Sequence, residues 1–129
     1  MRHVLLATAL ATLPVTGLAA SPAAAQSPEL EQACVTVARN FLLSPNLKTG
    51  VVQSFPELDP PGARLTYSTR QNPDPTDFTD EIECTFESAT PPFGLTRFCV
   101  SETCYSATEE EPDNRRRFEE MKALLARQK

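Results

Sequence analysis

The sequence predicts an α+β fold: an N-terminal helix, an antiparallel meander of three to four strands, and a C-terminal helix, held by two disulfides. Three observations carry this. Apolar residues recur at helical spacing near both ends of the exported part. Strict alternation of apolar and polar residues marks the middle. Four cysteines follow what reads as an export leader.

The leader occupies residues 1–25. Met1-Arg2-His3 gives a short positive start. Residues 4–20 form an apolar run without a charged side chain, and Ser21-Pro22-Ala23-Ala24-Ala25 supplies small residues in an A-x-A arrangement. The expected cut falls between Ala25 and Gln26, with a cut after Ala20 as the fallback. The run is shorter than the roughly 20 apolar residues that span a bilayer. It is also broken by Pro14 and Gly17. A lipid-anchored reading fails because Glu31 stands where the segment before Cys34 would need a small or apolar residue. The protein is therefore expected to be exported, periplasmic or secreted, with no stable membrane anchor after cleavage.

Residues 26–129 are the expected single domain. Ser27-Pro28-Glu29 opens its first helix: Ser27 can cap free amides, Pro28 suits the first helical position, and Glu29 and Glu31 meet the positive end of the dipole. Leu30, Cys34, Val37 and Phe41 then share one face. The helix is expected over residues 28–43, because Ser44 precedes Pro45 and is pushed out of the helical region.

Residues 44–63 are punctuated by prolines and glycines. Val51-Val52-Gln53-Ser54-Phe55 can form a short edge strand there, and the rest reads as loop. Leu65-Thr66-Tyr67-Ser68-Thr69 reads as a strand. A polar stretch follows, residues 71–79. Glu81-Ile82-Glu83-Cys84-Thr85-Phe86-Glu87 alternates strictly, with Ile82, Cys84 and Phe86 facing inward. Residues 88–94 turn through Pro91, Pro92 and Gly94. Residues 95–100 are a further strand, and residues 103–107 a short last one. Glu109-Glu110-Glu111-Pro112-Asp113 starts the second helix, expected over residues 113–127, with Phe118, Met121, Leu124 and Leu125 as its apolar stripe.

The cysteines permit three pairings. Cys34 and Cys84 both lie on core-facing stripes, which favours Cys34–Cys84. Phe98 inward turns Cys99 outward, and a two-residue hairpin at Ser101-Glu102 sets Cys99 opposite Cys104, which favours Cys99–Cys104. A redox role for that pair fits poorly. Four residues separate the sulfurs where redox motifs have two, and Glu102 would raise a thiol pKa.

Composition narrows the chemistry. The only histidine, His3, leaves with the leader, so imidazole-dependent triads and His-ligated metal sites are excluded from residues 26–129. Loss of the leader takes Arg2 from the twelve basic residues and none of the seventeen acids, leaving a net charge of −6. Such a domain has no long-range attraction to nucleic acid. No phosphate loop, nucleophile elbow or cofactor fingerprint is present, so no cofactor is expected. Asp74, Asp77 and Asp80 do not follow the EF-hand pattern, and no metal site is assigned.

Two surfaces remain as candidates for meeting a partner. Glu81, Glu83 and Glu87 share the outer face of their strand. Arg115-Arg116-Arg117 lies on the second helix between acidic flanks, with Asp113/Arg117, Arg115/Glu119 and Arg116/Glu120 at helical ion-pair spacing. The expected role is non-enzymatic: binding or supporting another macromolecule, a protein or an envelope component. A small carboxylate-dependent hydrolase is the alternative, and a thiol–disulfide protein the third reading.

A helix carrying Cys34 and ending at Ser44-Pro45, a strand with Tyr67, a loop, and a Cys84-Thr85-Phe86 strand together resemble small exported bacterial proteins without an assigned activity. That resemblance implies no catalytic residue. The second helix and the Cys99/Cys104 pair lie outside it.

Overall fold

A computed structural model describes residues 11–13, 17 and 26–128. Most of the expected leader therefore lies outside the described residues. The element order is helix α1 (Pro28–Leu42), strands β1 (Lys48–Phe55) and β2 (Gly62–Ser68), a single 3-10 turn (Pro75–Asp77), strands β3 (Asp80–Phe86), β4 (Leu95–Val100) and β5 (Thr103–Ser106), and helix α2 (Pro112–Arg127).

The fold is the α+β arrangement of two helices and an antiparallel meander, with five strands rather than three or four. They lie in chain order, β1-β2-β3-β4-β5, every neighbour antiparallel. The additional length is in β1. It begins at Lys48, pairing with Ser68, and the register shifts between Thr49 and Val52. Its first four residues are solvent-exposed on both sides, so no alternation marks them in the sequence.

α1 starts as the capping chemistry requires: the Ser27 hydroxyl accepts from the Leu30 amide at 3.3 Å. It stops at Leu43, which takes the left-handed conformation at φ 51° and returns its amide to the Arg39 carbonyl. Leu30, Cys34, Val37, Ala38 and Phe41 are buried against Leu65, Ile82, Cys84, Phe86, Leu95 and Phe98 on the sheet. Both helices lie on this inner face, and the outer face is open. Burying a side chain such as Phe86 or Phe98 contributes about 2–3 kcal/mol.

The disulfides are Cys34–Cys84 and Cys99–Cys104. The first ties α1 to the central strand β3 inside the core, where both cysteines are fully buried. The second crosses between β4 and β5, whose register sets Cys99 directly opposite Cys104 across the Ser101-Glu102 turn. Two such bonds agree with an oxidising, exported environment. Among the described residues no helix is long and apolar enough to cross a membrane.

Candidate functional site

α2 is less deeply seated than its apolar stripe suggests. Of that stripe only Phe118 is fully buried; Met121, Leu124 and Leu125 are half-buried. The two helices run in opposite directions. Arg117 of α2 meets Phe41 near the end of α1, whereas Leu125 and Gln128 come beside Pro28 near its start. At this second end the helices stand apart and leave a groove of about 680 Å³. That volume lies within the usual range for ligand sites, about 300–1,000 Å³.

Three stretches build the groove. α1 contributes Ala33 and Thr36, the α2 end contributes Lys122 and Leu125, and the β3–β4 turn with the start of β4 contributes Phe93 and Leu95. The turn is held firmly. Glu87 and Ser88 donate their amides to Gly94 and Phe93 at 2.8 and 3.0 Å. The Phe93 ring packs on Phe86, centroids 5.8 Å apart. Gly94 has a φ of +67°, and a Cβ there would come within 2.6 Å of the Glu87 carboxylate. The lining is mostly apolar. Its polar members are Glu29, Gln32, Thr36, Lys122 and Gln128, one acid, one base and three neutral groups.

The acidic strand residues divide. Glu81 and Glu83 are exposed on the outer face of β3, as the alternation predicts. Glu83 sits opposite Arg64 on β2 and Cys99 on β4. Arg64 in turn donates to Gln53 at 2.8 Å and lies over the Phe55 ring. Glu87 falls beyond the end of β3, past a register shift at Thr85/Phe86, and belongs to the groove-side turn. The three carboxylates therefore do not form one line.

The arginine triplet also divides. Arg116 alone forms the expected helical pair, to Glu120 at 2.6 Å, and it binds Asp113 as well at 2.7 Å. The hydrogen bond and charge of Arg116 hold the Asp113 carboxyl below its ordinary pKa. Arg115 instead reaches back to the Glu109 and Glu110 carbonyls. Arg117 lies 4.0 Å over the Phe41 ring and 5.6 Å from that of Tyr105, covering an aromatic cluster completed by Phe98. In the polar stretch before β3, the Asp77 carboxylate is engaged by Arg70 at 3.2 Å and by the Asp74 amide at 2.8 Å. Tyr67 is buried on β2. Burial, with the charge of Asp80, pushes its phenol above the ordinary value.

None of the groove residues stands out in the sequence. Pro91-Pro92-Phe93 reads as a turn, and Leu125 as ordinary core. Comparison with family models, curated proteins and solved structures finds no match for this chain.

Proposed function

We propose that this is an exported, non-enzymatic binding protein of the periplasm or cell exterior. Its groove would hold an uncharged, apolar peptide segment of a partner protein. The observation that supports this is the groove itself: an apolar floor with a polar rim, in which Glu29 is the one carboxylate. A glycan hydrolase needs two carboxyl groups flanking its bond, so this lining supports binding over that alternative. The rim charges of Glu29 and Lys122 offset each other, which disfavours a strongly charged ligand. Gln32, Thr36 and Gln128 offer the donors and acceptors that an extended backbone requires. Secretion and periplasmic residence are part of the same reading, supported by the disulfides and the leader.

The test places a photo-crosslinking side chain at Gln32 in the exported protein, with Leu125→Asp as the control. The expected result is an adduct on an uncharged apolar segment of a partner polypeptide, lost in the Asp variant. A lipid adduct, or an adduct indifferent to Leu125→Asp, overturns the proposal.

A further inference from the structure

The body of the fold begins at an unusual contact. Ser54 is 2 % exposed near the end of β1. Its backbone amide donates to the side-chain carbonyl oxygen of Gln26, Oε1, at 2.9 Å. Its hydroxyl lies 3.3 Å from the same oxygen and 3.4 Å from Glu31 Oε1, and its single proton is shared between them. The Ser54 Oγ also accepts from the Ser27 amide at 2.6 Å. Residue 26 is thus pinned on both sides, through its carboxamide oxygen and through the next backbone amide. Among the described residues the Gln26 amide nitrogen forms no hydrogen bond. Two donors of a buried serine converging on a carbonyl oxygen are the arrangement that stabilises the oxyanion of an acyl-transfer intermediate.

The geometry points to Gln26 as a self-modification site: once the chain is cut after Ala25, Ser54 promotes its closure to pyroglutamate. This inference rests on the proposed export cut. The freed α-amine attacks Cδ of its own side chain, and the N–Cδ bond forms. The Cδ–Nε2 bond breaks, and the amine passes one proton to the leaving nitrogen, which departs as ammonia. No oxidant or cofactor is needed. The carbonyl oxygen is retained in the lactam. The product has no N-terminal charge and no free amine for an aminopeptidase.

The full chain is exported in a bacterial host, purified from the periplasm and weighed intact, alongside Ser54→Ala and Ser54→Thr. The expected wild-type mass is that of residues 26–129 with two disulfides, less one ammonia. Ser54→Ala should retain Gln26 and close about tenfold more slowly or worse on incubation, and Ser54→Thr, which restores the hydroxyl, should close like the wild type. A wild-type protein that keeps Gln26, or an Ala variant closed as fast as the wild type, overturns the inference while leaving the cut intact. So does a Thr variant as slow as the Ala variant, since slowing would then reflect disturbed folding. A chain that starts at another residue overturns the cut itself, and the two failures differ in mass.

Discussion

Arg117 shows how a charged residue on a helix acquires a structural role. By spacing it could pair with Asp113, but Asp113 is taken by Arg116, and the guanidinium of Arg117 lies 4.0 Å over the Phe41 ring instead. A partly desolvated cation over an aromatic ring contributes up to about 2 kcal/mol, and the aliphatic stem covers apolar surface besides. Arg116 has only exposed ion pairs, which contribute little. Arg117→Ala should therefore lower stability by about 1–2 kcal/mol in urea unfolding, whereas Arg116→Ala should leave the midpoint almost unmoved. Equal losses for the two would show that the aromatic contact is not what holds Arg117. Sequence spacing could not separate these residues, because three adjacent arginines meet acids on both sides. Only the position of Phe41 and Tyr105, brought in by α1 and β5, decides between them.

At the scale of elements, the helix starts and the strand alternation were legible. Ser27-Pro28 and the Ile82/Cys84/Phe86 stripe lie where capping and burial require them. The end of α1 is less favourable. Leu43 is 80 % exposed and held at φ 51°, a region in which a Cβ is strained. Leu43→Gly should remove that strain with no loss of packing, and raise stability by about 0.5–1 kcal/mol after the greater freedom of glycine in the unfolded chain is counted. An unchanged or lower thermal midpoint would show that the side chain contributes more than its exposure suggests. What could not be read was the start of β1, whose Lys48, Thr49 and Gly50 are exposed on an edge and leave no periodic trace. The groove was equally invisible. Its walls come from Thr36, Phe93 and Leu125, far apart in the chain, and its existence depends on α2 lying less deep than Met121, Leu124 and Leu125 imply. Periodicity indicates which face turns inward but not how closely that face is approached.

Across the whole molecule the two disulfides do unequal work. Cys34–Cys84 joins residues 50 apart, and Cys99–Cys104 residues 5 apart. By loop-closure entropy the first should contribute about 4 kcal/mol and the second about 2 kcal/mol. Replacing Cys34 and Cys84 by alanine should accordingly lower the denaturant midpoint far more than replacing Cys99 and Cys104, with an added cost from the cavity left in the core. Equal losses would place the stabilisation elsewhere, in the β4–β5 turn itself. Cys34 and Cys84 were predictable as partners because both carry a core-facing position in unrelated elements, a signal that does not require knowing the topology.

The Cys34–Cys84 bond also changes what the molecule is as a mechanical object. Most of α1, together with β1 and β2, lies inside the covalent ring it closes. A pull on the two ends of the domain would pass from α1 straight into the central strand, and the ring would never be stretched. With the bridged cysteines 50 positions apart, about 170 Å of contour is withheld from the extending chain. Under tension the domain would yield from its C-terminal side, unzipping β4, β5 and α2 while its N-terminal half stayed tethered.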